Sequence, residues 1–546
     1  MRSMPAGGLS RRISAIIVAL AFGMGLLFTG TTNAARKPPS ATTESGMVTG
    51  KNVNGVNLFL GIPYAAPPSG NLRWQPPQPY GNFPGSILNA THFGSECVQS
   101  GGGSEDCLFL NVYQPANHPA HKLIPVMVWI HGGAFVGGSA SIYDPSLMVR
   151  DGVIVVTINY RLGYLGFLAQ PALDAEGHEA GNYGLMDQQF ALAWVQRNIA
   201  GFGGDPGKVT IFGESAGGQS VLVHLASPTS THLFRGAISE SGTYTEFQDY
   251  FDLIVPLATA ETDGTSQVPS GAAVADAVGC TDQTAACLRA VPASAFPPIQ
   301  AQTIYPFVDG VLLTQTPTAA FTSGQFNQAP VIIGTNHDEW RYFVAEEYDL
   351  GPLGPLTDAE YADAVAVLDQ LPVDSPTVQI LVNTLYPLND FPPPSASVMS
   401  APLALGALGT DYIFACPARN ADLLLAKTAP TWVYEFHDER ALSLLSAVSF
   451  PLGDAHSFEL PYLFALEGIN VRAMFFSGPQ VRLSNTMAHY WTQFAKTLDP
   501  NFAGGPKWAQ YASGGSIQSL VAPTPKKESD AAFDADHKCS QYWNTF

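Results

Sequence analysis

The sequence predicts an α/β fold: one large, mostly parallel central sheet flanked by helices, with inserted loops and helices over a candidate site. Three observations predict it. Short apolar runs rich in β-branched residues recur at 126–130, 153–159, 209–212, 331–334 and 432–436, as strands buried on both faces do. Segments of helical spacing, such as 185–198, alternate with them. The stretch 209–220 then places Gly213-Glu214-Ser215-Ala216-Gly217 directly after one such strand and before residues able to form a helix. Strand, sharp Gly-x-Ser-x-Gly turn and helix is the context in which a serine hydroxyl is pushed out above a sheet.

In chain order, residues 1–35 come first and have the pattern of a cleavable export signal. Arg2, Arg11 and Arg12 make a positive start, 13–28 is apolar, and Thr32-Asn33-Ala34 offers small residues for cleavage. Ser10-Arg11-Arg12 fits a twin-arginine signal as well as an ordinary basic start. Residues 53–61 alternate around Asn54-Gly55, a hairpin turn signal. The proline-rich stretch 61–74 is expected to be an ordered surface loop rather than central sheet. A strand is expected at 105–113, and the one at 126–130 runs into His131-Gly132-Gly133-Ala134. Residues 346–405, with Pro392-Pro393-Pro394, are the least sheet-like and are expected to cover the mouth of the site, where loops carry specificity. No internal repeat is present. Residues 36–546 are expected to form a single domain, although 546 residues would ordinarily suggest more.

Composition narrows the function. Net charge is −20 with pI near 4.9, and no basic cluster follows the signal segment, which excludes nucleic acid as a partner. No stable membrane span is expected once the signal is removed. Six cysteines, Cys97, Cys107, Cys280, Cys287, Cys416 and Cys539, follow the signal. An even count in an exported chain points to disulfides, and spacing alone leaves every pairing open. Metal binding by these cysteines is a poor alternative, because no C-x-x-C is present. Asn89-Ala90-Thr91 is a glycosylation sequon if the host glycosylates.

A serine hydroxyl is a weak nucleophile until a base takes its proton, and the base needs an acid to orient it. After Ser215, the strand at 331–334 runs into Thr335-Asn336-His337-Asp338-Glu339, which places two acids just past a strand's carboxyl end. The histidines beyond are His437, His456, His489 and His537. His456 lies in a Gly/Pro loop able to project its ring, and His437 directly follows a strand; on residues alone both histidines and both acids stay open. An oxyanion hole needs N–H groups from the residue after the nucleophile, Ala216, and from a glycine loop after an earlier strand, which Gly132 and Gly133 supply.

Several motifs in order resemble the type-B carboxylesterase and lipase family, α/β-hydrolases that include the cholinesterases. They comprise Phe59-Leu60-Gly61-Ile62-Pro63-Tyr64, Glu105-Asp106-Cys107-Leu108-Phe109-Leu110-Asn111, His131-Gly132-Gly133-Ala134-Phe135, Asn159-Tyr160-Arg161, Gly181-Asn182-Tyr183-Gly184, Phe202-Gly203-Gly204-Asp205-Pro206 and the serine turn. The resemblance implies an α/β-hydrolase fold with Glu339 as the acid, His456 as the base, and Ser241 and Glu214 supporting them from behind. It also implies the pairings Cys97–Cys107, Cys280–Cys287 and Cys416–Cys539, and structural ion pairs Arg73–Glu105 and Arg161–Asp187. One departure is informative. Cholinesterases carry a tryptophan-bearing loop between the first two cysteines; residues 98–106 here include no aromatic side chain, so that seat for a quaternary ammonium is missing.

The expectation is a secreted or periplasmic serine carboxylesterase that forms an acyl-enzyme on small-molecule or polymer-derived esters other than choline esters. No metal or organic cofactor is implied. Two rivals are carried: a binding module of the kind found among relatives that have lost the serine, and a hydrolase of amides or lactones with the same triad.

Overall fold

The computed structural model describes residues 37–118, 122–244, 253–264, 268–299, 304–395, 398–443, 445, 448–512 and 515–543. The expected export signal lies outside them. The frame is one eleven-stranded sheet. In chain order its strands are β1 (Lys51–Val53), β2 (Val56–Pro63), β3 (Phe109–Pro115), β4 (Ile124–Ile130), β5 (Ile154–Ile158), β6 (Gly204–Glu214), β7 (Gly236–Glu240), β8 (Val331–Asn336), β9 (Thr431–Phe436), β10 (Ser516–Leu520) and β11 (Lys526–Ser529). Across the sheet the order is β1-β2-β3-β5-β4-β6-β7-β8-β9-β10-β11. Pairings from β5 to β10 are parallel, and those at the two edges are antiparallel.

Alternation along each central strand builds two cores. Val126, Val128 and Ile130 of β4 face one layer, while Met127 and Trp129 face the other, all fully buried. Helices α1 (Tyr183–Asn198) and α2 (Ala216–Ala226) cover the first face, and α3 (Gly478–Thr497) covers the second with Leu483, Met487, Trp491 and Phe494. Each such side chain removed from water contributes about 1.5–3 kcal/mol. A third cluster joins residues of the 346–405 insertion, such as Val365, Leu381 and Leu405, to Phe450, Leu452, Ala455 and Phe458. That insertion is helical, and it packs on the loop that carries His456.

The turn at Asn54-Gly55 closes β1 on β2 with positive φ at both residues, as the sequence predicts. Two expectations need correction. Strand β2 runs on through Gly61-Ile62-Pro63, and Tyr64 and Trp74 are buried, so the proline-rich stretch is a packed segment rather than a surface loop. Pro63 is tolerated because β2 sits near the sheet's antiparallel edge. The strand expected at 105–113 begins only at Phe109, because the residues before it are held otherwise: Glu105 by Arg73 (2.6 Å) and Cys107 by Cys97. The other implied pairings, Cys280–Cys287 and Cys416–Cys539, and the Arg161–Asp187 pair at 2.7 Å are present. Strand β7 was not legible, since Gly236-Ala237-Ile238-Ser239-Glu240 lacks a continuous apolar run.

Candidate active site

Ser215 stands between β6 and α2 with φ 56° and ψ −125°, a region sparsely populated by any residue other than glycine. Its neighbours explain how the chain tolerates this. A Cβ on Gly213 would lie 2.5 Å from the Gly217 carbonyl carbon, and one on Gly217 would lie 2.0 Å from Ile130 O. Both glycines are therefore required by close approach. The turn is pinned to the next strand by Ser215 N donating to Glu240 O (2.9 Å).

The glycine loop after β4 comes up against the same point. A Cβ on Gly132 would sit 3.0 Å from Ser215 Cβ. Gly133 has φ 105° and its carbonyl accepts from Val136 and Gly137 N–H groups, which closes the turn. Among the described residues, the N–H groups of Gly132, Gly133 and Ala216 donate to no protein acceptor. They are free donors beside the serine, and Ala216 opens α2 at its positive end. His131 braces the loop: it donates from Nδ1 to Gly132 O (2.8 Å) and stacks on Tyr160 at 4.4 Å. Burial lowers its imidazole to about 4, so the ring stays neutral.

Glu339 and His456 meet through two loops distant in sequence. His456 Nδ1 lies 2.5 Å from Glu339 Oε2. The other carboxylate oxygen accepts from Asn336 N (2.7 Å) and Thr335 Oγ1 (2.9 Å), so the acid cannot swing away. Asn336 also donates from Nδ2 to Ala455 O (2.9 Å), tying the acid's strand to the histidine loop. That loop needs Gly453, with φ 62°, because a Cβ there would lie 1.9 Å from Asp338 Oδ2. Asp338 itself turns away and pairs with Arg341 (2.8 Å).

Ser215 Oγ and His456 Nε2 form no hydrogen bond; Nε2 lies 3.2 Å from Glu214 Oε1, which also accepts from Ser457 Oγ (2.6 Å). Such contacts commonly tighten only when substrate is bound. Burial pulls the His456 imidazole down, but Glu214 and Glu339 outweigh it and leave it at about 8. Burial raises Glu214 in spite of the neighbouring imidazole. The rings of Phe343 and Phe414, each 5.1 Å from the imidazole, shield it from water. Ser457, Phe343 and Phe414 carry no local sequence signal, and sequence reasoning missed them.

Ser241 is buried, and its Oγ has no hydrogen-bond partner among the described residues. His437 directly follows β9, beside Glu435, His489 sits on α3 beside Asp151, and His537 is buried between Asp411 and Glu435.

Behind the serine turn, Glu240 accepts from Trp491 Nε1 (2.9 Å) while its other oxygen has no donor. Burial, with Glu214 adding to it against the Trp491 bond, raises its carboxyl to about 8. The folded chain therefore holds a proton that the unfolded chain loses near 4.5. Stability from this group is complete below about 4.5 and declines by about 1.4 kcal/mol per pH unit until about pH 8. Glu240→Gln removes that titration. The Tm difference, variant minus parent, is expected to rise steadily between pH 5 and pH 8 in scanning calorimetry; a difference independent of pH would mean that Glu240 is ionised throughout.

Known proteins of one family are similar to this chain over most of its length. Human cocaine esterase is 34% identical over 530 residues, covering 91% of this chain and 90% of that protein. Liver carboxylesterase 1 of Oryctolagus cuniculus is 33% identical over 528 residues, covering 87% and 88%. The solved structure of a PNB esterase superposes with TM-score 0.72 at 29% identity, covering 92% of this chain and all of that one. Residues 37–538 match the carboxylesterase family throughout, and the chain belongs to that family of carboxylic ester hydrolases.

Proposed function

We propose that the chain is an exported serine carboxylesterase that works through a Ser215-His456-Glu339 triad and an acyl-enzyme. The observation that carries this reading is the 2.5 Å contact between His456 and a carboxylate that two further donors hold in place, beside a serine on a strained turn. Ser215 Oγ attacks the ester carbonyl as His456 Nε2 takes its proton. The Gly132, Gly133 and Ala216 N–H groups receive the oxyanion, each donor contributing roughly 10²–10³ in rate. His456 returns the proton to the leaving alkoxide and then activates water for deacylation, while Glu339 holds the ring and stabilises its charged form.

Residues 36–546 act as a single catalytic domain, with the 346–405 insertion packed on the His456 loop and shaping the mouth of the site. The substrate is an ester without a quaternary ammonium, since the Cys97–Cys107 loop bears no aromatic ring. The rings about the imidazole favour an apolar acyl or alcohol group. Export is supported by the N-terminal pattern and three disulfides, and no helix among the described residues is long and apolar enough to cross a membrane.

A fluorophosphonate probe should label one site per chain, and peptide mass analysis should find the adduct on Ser215. An aryl ester should give a burst of one equivalent, faster than its matched amide. An unlabelled chain, or an adduct on another residue, would remove the triad reading.

A further inference from the structure

Strands β8 and β9 are parallel neighbours in register, with Asn336 opposite Phe436. The next residue on each is a histidine. His337 and His437 therefore stand side by side at the carboxyl edge of the sheet, their rings stacked at 4.1 Å, and His337 N donates to Phe436 O (3.1 Å). The loop that carries His456 brings Asp454 to the same place. One donor atom from each of His337, His437 and Asp454 lies within 4.8 Å of the others.

Asp454 is fully buried, and the group that meets its carboxyl among the described residues is a second acid, Asp338, which can share a proton with it but donates no other hydrogen bond. A buried carboxylate without donors is costly unless a proton or a cation meets it. His437 is held only loosely among the described residues: its ring nitrogens lie 3.6 Å from Glu435 and 3.9 Å from Glu439. His337 is held loosely, 3.3 Å from both Asp338 and Asp536. His537, close by, differs in that both its nitrogens are engaged, at 2.6 Å to Asp411 and 2.7 Å to Glu435.

We propose that His337, His437 and Asp454 form a binding site for a divalent transition-metal ion of the zinc type. Two imidazoles and one carboxylate suit such an ion, which holds its ligands at about 2.0–2.2 Å and so spaces them about 3.3 Å apart in a tetrahedron. The donor atoms lie within 4.8 Å of one another, and a turn of one stacked ring about χ2 brings them to that spacing. His437, with 29% of its side chain exposed, is free to do so and leaves the site open to solvent. The absence of a cysteine metal motif does not bear on this site, which uses none. A bound ion would tie the segment leading to Glu339 to the loop leading to His456, so it would brace the acid and base without touching substrate. Nothing in the proposal depends on the chemistry assigned to Ser215.

The test uses the mature full-length chain, free of any histidine tag and stripped by a chelator, titrated with Zn²⁺ by calorimetry and with Co²⁺ by absorbance. One ion should bind per chain, and saturation should raise the Tm, since an ion bound only by the folded state stabilises it. His437→Gln, a change at a partly exposed position, should weaken Zn²⁺ binding by about tenfold or more, and Asp454→Asn by a similar factor. His489→Gln, on α3 and outside the cluster, should leave binding unchanged. No binding of either ion overturns the proposal. So does binding that survives His437→Gln at full strength, or binding that is lost with His489→Gln.

Discussion

Ser215→Ala is expected to reduce hydrolysis of a short-chain aryl ester by about 10⁵–10⁶-fold while leaving the melting temperature nearly unchanged. Rate is expected to fall because the hydroxyl proposed as nucleophile is gone; residual turnover would reflect the free N–H groups of Gly132, Gly133 and Ala216. Stability is spared for two reasons visible in the fold. Ser215 Oγ makes no hydrogen bond to His456, so its removal orphans nothing there, and alanine meets the same positive φ of 56° that serine already tolerates. Steady-state rates and a circular-dichroism melt on the same preparation check both halves. A variant that still turns over ester at an appreciable fraction of the parent rate would mean that Ser215 is not the nucleophile.

Replacing both Cys416 and Cys539 by alanine is expected to be the most destabilising of the three disulfide deletions. Those cysteines are 123 residues apart, and loop-closure entropy over that span corresponds to about 5 kcal/mol. Cys280 and Cys287 are separated by only 7 residues, for which the same relation gives about 2 kcal/mol. The longer bridge also anchors a tail with contacts of its own. His537 is clamped between Asp411 and Glu435, and Trp543 donates from Nε1 to Tyr386 Oη (2.7 Å), reaching the 346–405 insertion. Loss of the bridge should therefore loosen that insertion before the sheet. Guanidinium unfolding of the two double variants under oxidising conditions measures the difference; equal losses would show that loop closure does not govern their contribution.

Much of the fold was legible because central parallel strands advertise themselves. Runs such as Val126-Met127-Val128-Trp129-Ile130 are apolar on both faces since helices cover both, whereas β7, with Gly236 and Ser239 in a short run, gave no such signal. Proline content misled at 61–74, because a strand near an antiparallel edge tolerates Pro63. The family resemblance selected Glu339 and His456 where the residues alone left Asp338 and His437 open. The geometry that separates these candidates is tertiary: Asp338 is drawn off by Arg341, and His437 stands beside His337 on the next strand end.

By itself the sequence determined what neighbours along the chain can impose: the strained turn at Ser215, the glycine loop after β4, and the even set of cysteines. Only the tertiary structure decided which distant groups meet. It set Glu214 against the outer nitrogen of His456, packed Phe343 and Phe414 on that ring, and brought Asp454 up to two histidines from neighbouring strand ends. The physical reason is one of range. Backbone strain and turn chemistry depend on a few contiguous residues, whereas the meeting of residues 214, 339, 343, 414 and 456 depends on strand order and on how three separate cores pack.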